Sequence, residues 1–163
     1  MKLPPKFIVV PIDFSNSSME SMDVAKELGK QYGSEISLIH VVPVIPRLPD
    51  AVSIFDEGAY EKELIQRAEQ RLEELVKQLE EAGVRASGRV GLANDAATEI
   101  VRDSELADLI VIATHGTTGW RRLAFGSVTE KVVRTANCPV LVLRAKSAAQ
   151  SHDGEAKCAA AIP

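Results

Sequence analysis

A short, wholly apolar run, Leu109 to Ala113, passes directly into Thr-His-Gly-Thr-Thr-Gly, and further on Gly126 and Ser127 stand ahead of an amphipathic segment. Residues 108–130 therefore read as a buried strand, a small hydroxylated loop and a helix start. The capping-box spacing of Ser127 and Glu130 marks that start. Helix starts leave backbone amides without partners and carry the positive end of the helix dipole, so they attract anions. Gly116, Gly119 and Gly126 let backbone approach a ligand closely, with no Cβ between. Hydroxyls come from Thr114, Thr117, Thr118, Ser127 and Thr129, and charge from Arg121 and Arg122. Two readings stand side by side, a phosphate cradle and a loop that only turns the chain. Neither GxxxxGK[ST] nor GxGxxG occurs in the sequence.

The rest of the chain alternates strand and helix signals. Residues 7–12 are an apolar, β-branched run followed by Asp13, and residues 35–42 are a second such run. Between them, Ser17 and Glu20 form a capping box, Met22, Ala25, Leu28 and Tyr32 recur at helical spacing, and Gly33 ends the helix. Residues 43–58, with Pro43, Pro46, Pro49 and Gly58, have no clean period and read as an irregular connection, a candidate lid. An apolar stripe from Tyr60 through Leu64, Ala68, Leu72, Leu75 and Leu79 to Ala82 predicts a helix of roughly 35 Å, at about 1.5 Å per residue. Residues 84–90 read as an edge strand and residues 91–95 as a loop. Asp95 is placed as the cap of a helix carrying Ala97, Ile100 and Val101. A helix over 128–136 and a last strand at Val140 to Leu143 follow, then a tail over 146–163 without periodicity.

This order predicts one α/β domain over 1–145, an open five-stranded parallel sheet with helices on both faces, Rossmann-like. Its length of 163 residues suffices for one core, and 45% hydrophobic against 4% aromatic residues makes that core aliphatic. A formal net charge of −4 argues against broad binding to nucleic acid or anionic membrane. No apolar run reaches about 18 residues, and no signal-peptide core precedes the first strand, so a cytoplasmic protein is expected. Two cysteines, Cys138 and Cys158, and three scattered histidines offer neither a disulfide framework nor a zinc site.

Ala113, Gly116, Gly126 and Ser127 fall on the pattern GxxG, nine residues, then G[ST], with alanine at its first glycine. Together with Val9-Val10-Pro11-Ile12-Asp13-Phe14-Ser15, Leu38-Ile39-His40-Val41 and Asn137-Cys138-Pro139-Val140-Leu141-Val142, these residues make the sequence resemble the universal stress protein family. The likeness is to its nucleotide-binding branch, of adenine nucleotide alpha hydrolase-like fold, and covers about residues 6–144. The resemblance implies that Pro11 and Asp13 flank the adenosine, the carboxylate accepting from a ribose hydroxyl, and that the Val41 backbone meets the adenine edge. It further implies that Ala113, Thr114, His115, Gly116, Thr117, Thr118 and Gly119, with Gly126, Ser127, Val128 and Thr129, hold the phosphates. Arg122 grips the outer phosphates or is solvated. Asp13 equally serves as a cap of the first helix, and His40 and His115 are left out of catalysis.

The expected function is an ATP-binding, nucleotide-dependent stress-response regulator. A slow ATP hydrolase, with Mg2+ bound through the phosphates, and a nucleotide-free interaction module are the alternatives. A phosphoacceptor receiver would want clustered acidic residues at the first strand, and a flavodoxin aromatic ring-stacking loops; neither is present. Val140 to Leu143 is apolar on both faces and leaves a backbone edge, so a homodimer through this strand is expected.

Overall fold

The computed structural model of the protein describes residues 4–44, 57–114 and 126–144. The expected tail and most of the irregular connection after the second strand lie outside them. Strands β1 (Phe7–Pro11), β2 (Glu35–Val42), β3 (Ala86–Leu92), β4 (Leu109–Ala113) and β5 (Val140–Leu143) alternate with helices α1 (Asn16–Tyr32), α2 (Glu57–Glu81), α3 (Ala96–Asp103) and α4 (Ser127–Thr135). The strands form one parallel sheet in the order β3-β2-β1-β4-β5. The expected α/β architecture, a five-stranded parallel sheet with helices on both faces, is therefore present.

Strand β1 is central because it is apolar on both sides, and Ile8, Val9 and Val10 are fully buried. Ile8 and Val10 point to one face, packing with Met22 and Ala25 of α1 and Leu72 and Leu79 of α2. Val9 points to the other, with Ala97 and Ile100 of α3 and Val132 of α4. The two layers follow from topology: the chain first builds outward from β1 to β3, then returns to β4 on the other side of β1. Crossovers of one hand must then put the later helices on the opposite face. Each fully buried aliphatic side chain here contributes roughly 1.5–3 kcal/mol, which is why the strands rather than the caps fix the fold.

Local boundaries differ from the sequence expectation for identifiable reasons. Strand β3 starts later, at Ala86, because Val84 is used in the core, where its Cγ1 occupies the space a Cβ on Gly29 would need, 2.6 Å away. Gly91 and Leu92, expected in a loop, continue β3 opposite Val41 and Val42. Helix α2 begins at Glu57 and takes Gly58 into its first turn. Helix α1 is capped by Ser15, whose side chain accepts from the Ser18 amide, and not by Ser17. Gly33 ends it as expected, at φ 67°.

The outer strand β3 is tied to α3 by a charged cluster. Glu99 is 4% exposed, and its Oε1 accepts from Arg89 at 2.9 Å and from Arg102 at 2.5 Å, while Arg89 also meets Asp103 at 2.5 Å. A Cβ on Gly91 would lie 2.8 Å from Glu99 Cγ, so the glycine makes room for the buried acid. Arg89→Met should leave Glu99 and Asp103 short of a donor and cost about 2 kcal/mol. The check is the urea midpoint of unfolding, read at unchanged m-value.

Candidate nucleotide-binding site

The carboxyl ends of β1, β2 and β4 open into one cavity of about 240 Å3, also walled by the first turns of α1, α3 and α4. It lies where β1 pairs with β2 on one side and β4 on the other, so the chain leaves the two strand ends in opposite directions and a crevice remains. Pro11, Asp13, Val41, Ala113, Thr114, Gly126, Ser127, Val128 and Thr129 all line it. His115, Gly116, Thr117, Thr118, Gly119 and Arg122 lie outside the described residues, as do Trp120, Arg121 and Phe125.

The end of β4 and the start of α4 are stitched directly together. The Gly126 amide donates to the Thr114 carbonyl at 2.9 Å, and Thr129 Oγ1 donates to the Ala113 carbonyl at 2.7 Å. A Cβ on Gly126 would stand 3.1 Å from that Thr114 oxygen, a contact too tight to be comfortable, which gives the glycine its reason. The helical ladder begins with the Glu130 amide donating to Gly126 O at 2.9 Å. Among the described residues, the donors this pattern leaves without a ladder partner are the amides of Ser127, Val128 and Thr129, at the positive end of the helix.

Two expectations change here. Ser127 is the first residue inside α4; the N-cap is Gly126, with no side-chain cap bond, so the Ser127–Glu130 box does not form in the way its spacing suggests. Thr129 lines the cavity, but its hydroxyl proton goes to the Ala113 carbonyl, leaving the amide as what it can offer a ligand. In both cases a hydroxyl that looks like a cap or a phosphate donor in sequence is reassigned by what stands across from it.

Asp13 does the work of a turn while facing the cavity. Its Oδ1 accepts from the Ser15 amide at 3.0 Å and from Ser15 Oγ at 2.5 Å. The capping alternative is thus realised through Ser15, and the same exposed carboxylate lines the pocket. His40 Nδ1 lies 2.7 Å from the Ile12 carbonyl and, since a carbonyl only accepts, that nitrogen is the donor.

Sequence reasoning missed Ile12, Ser18, Ile39, His40, Ala96, Ile100 and Ile112 as cavity walls. Ala96 and Ile100 belong to α3, which follows β3 in sequence yet packs back over the centre of the sheet. No local signal announces that return; only the strand order does.

Asp95, the expected cap of α3, occupies the N-cap position without bonding the helix amides. Its carboxylate takes Thr98 Oγ1 at 2.6 Å and the Lys131 ammonium of α4, joining the two helices whose first turns wall the cavity. The hydrogen bond from Lys131, then that from Thr98, holds its carboxyl down at about 2 against an ordinary 3.8. Among the described residues no group of three His, Cys, Asp or Glu side chains could hold a metal ion, and no helix is long and apolar enough to cross a membrane.

Residues 5–144 match the model of the Universal stress protein family. The chain is 38% identical over 144 residues to Universal stress protein MJ0531 of Methanocaldococcus jannaschii, covering 85% of this chain and 82% of that one. The solved structure of MJ0577 from the same organism superposes with a TM-score of 0.74 at 30% identity, covering 87% of this chain and 97% of that one. A universal stress protein from Archaeoglobus fulgidus, solved in complex with dAMP, shares the fold at 23% identity and a TM-score of 0.56, covering 84% and 95% of the two chains.

The Asp95 link has a definite pH dependence. Because its folded pKa lies below the ordinary one, the link contributes fully above pH 3.8 and is lost as pH falls from there through about 2. An NMR titration of the Asp95 carboxyl should show a midpoint near 2, and Lys131→Met should return it toward 3.8. A midpoint near 3.8 in the unaltered protein would mean that the pair does not form in solution.

Proposed function

The chain belongs to the universal stress protein family, and on that premise we propose that it binds an adenine nucleotide, ATP foremost, in the cavity at the strand ends. The observation that carries this reading is the set of amides left over at the start of α4, those of Ser127, Val128 and Thr129, in the same cavity as the Asp13 carboxylate. Amides at a helix start suit phosphate, whereas a carboxylate suits a neutral sugar diol and repels phosphate. The ligand therefore lies with its ribose at Asp13 and Pro11, its base along the end of β2 at the Val41 backbone, and its phosphates at α4. Ala113, Thr114 and Gly126 form the floor beneath the phosphates, and the family resemblance assigns residues 115–119 and Arg122, which lie outside the described residues, to the same phosphates.

ATP occupancy acts in this reading as a regulatory signal in a cytoplasmic stress response. Any Mg2+ is held through the phosphates with a hydroxyl such as that of Ser127, since the described residues supply no carboxylate or imidazole cluster of their own.

A homodimer through β5 is supported by two observations. Among the described residues the strand stands at the end of the sheet, paired on one side only, with β4. Leu143 packs into the core under α1, but Leu141, two residues back on the same face, is 38% exposed, as α1 sits over β1 and β4. Among the described residues nothing charged or kinked stands within this strand, and a second copy is the cover this reading assigns to it.

Nucleotide released by denaturing the purified protein and separated by ion exchange should be ATP, and the stripped protein should bind ATP on titration. Ser127→Pro is a selective test, because proline suits the first helical position while deleting both the amide donor and the hydroxyl. Gly126 already has φ −58° and ψ 149°, which a following proline accepts. ATP affinity should drop at least about tenfold with thermal stability retained. Binding that is absent in the unaltered protein at millimolar ATP would instead leave a nucleotide-free interaction module. Separately, Leu141→Lys should convert a dimeric mass in light scattering to a monomeric one.

A further inference from the structure

We propose that Phe14 is a positioning residue of the nucleotide site, clasped between His40 and Arg71 so that Asp13 is held where the ribose hydroxyls arrive. The inference rests on the reading of the cavity as a nucleotide site and adds a residue that does not line it. Its starting point is the backbone. Phe14 has φ 62°, alone among the described non-glycine residues in being positive. A bulky side chain in the left-handed region is strained, and Gly or Asn would be the ordinary occupant. The conformation is needed: it turns the chain back after β1, so that the amide and hydroxyl of Ser15 both reach Asp13 Oδ1 and Ser15 then caps α1. The phenyl ring packs at the margin of the core between β1 and its helices, and it also makes two contacts that core packing alone does not require.

The ring is gripped from two directions. Its centroid lies 4.6 Å from that of the His40 ring, tilted by 39°, and the Arg71 guanidinium carbon lies 3.9 Å from the phenyl centroid. These are the distances of an aromatic pair and of a cation over a π face. His40 is itself fixed by donating from Nδ1 to the Ile12 carbonyl at 2.7 Å. The path Ile12, Asp13, Phe14, His40 and back to Ile12 is therefore a closed cycle, with two covalent steps and two contacts, drawn around Asp13. His40 directly precedes Val41 in β2, so the clasp joins the strand end assigned to the ribose to the strand end assigned to the base. Arg71, from α2, presses the ring onto that joint from outside.

Glycine would relieve the strain but give the cycle nothing to grip. Phenylalanine accepts the strain because its ring locks the carboxylate's position relative to β2. A residue acting this way should alter how well the site reads the sugar, and hardly alter its hold on the phosphates.

The test compares ATP with 2′,3′-dideoxy-ATP, by titration calorimetry on full-length protein. Unaltered protein should prefer ATP about tenfold, the effect of one hydrogen bond to a charged group. Phe14→Ala should reduce that preference to nearly one by weakening ATP while leaving the dideoxy nucleotide unchanged, and Phe14→Tyr should preserve it. Arg71→Met, on an exposed helix position, should lower the preference by a smaller factor with the fold intact, and so covers the case in which Phe14→Ala does not fold. Equal loss for both nucleotides, or no change in the ratio in the folded variants, would show Phe14 to be structural only and would leave nucleotide binding standing. If the unaltered protein bound neither nucleotide, the reading of the cavity would fall and this proposal with it.

Discussion

Two hydrogen bonds between the end of β4 and the beginning of α4 determine what this cavity offers. Gly126 gives its amide to Thr114, and Thr129 gives its hydroxyl proton to Ala113. Backbone donors in this position have to go somewhere, and by satisfying the first of them from within the chain the fold seats the helix against the strand it follows. The three residues behind it, whose amides have no partner in the ladder, line the crevice. Glycine at position 126 suits the same contact, because a Cβ there would lie only 3.1 Å from the Thr114 oxygen. The anion-attracting character of the site is thus a consequence of how α4 is fastened, before any side chain is counted.

The crevice exists because β1 is shared. It pairs with β2 and β4, and the chain's reversal around it sends α1 and α2 to one face and α3 and α4 to the other. The two outer strands solve the problem of an exposed edge differently. At β3, Gly91 and Arg89 meet the Glu99 cluster of α3 and Gly88 lies under Leu72 and Val76 of α2, so charge and missing side chains discourage further pairing. At β5 the strand is apolar throughout and Leu141 remains exposed. One edge carries charge and glycine, while the other is apolar among the described residues.

Asp13 illustrates why choosing between a structural and a functional role misleads. One carboxylate oxygen organises the turn into α1 through Ser15, and the residue still lines the cavity. A group whose position is set by the fold is already oriented for whatever enters, at no further cost in side-chain entropy. The left-handed Phe14 beside it belongs to the same economy: strain at one residue is compensated by contacts from β2 and α2.

The sequence by itself determined the order of elements and the cores of the strands. Short β-branched runs such as 7–11 and 109–113 must be buried on both faces, and such runs alternating with amphipathic segments leave little choice but a covered parallel sheet. It also determined that Asp13, Val41 and the end of β4 would converge, because parallel strands place their carboxyl ends on one side. Caps and short boundaries were decided only by tertiary structure. Ser15 displaced Ser17, Gly126 displaced Ser127, Asp95 turned to Lys131, and Gly91 joined a strand to make space for Glu99. These are competitions between near-equal local options, each worth about 1 kcal/mol, and a neighbour from a distant part of the chain settles them. The same holds for Ala96 and Ile100 as cavity walls and for the His40–Phe14–Arg71 clasp, whose members lie on β2, the turn after β1 and α2. Periodicity records which face a residue turns toward the core, whereas the partner waiting there is fixed by how the layers stack.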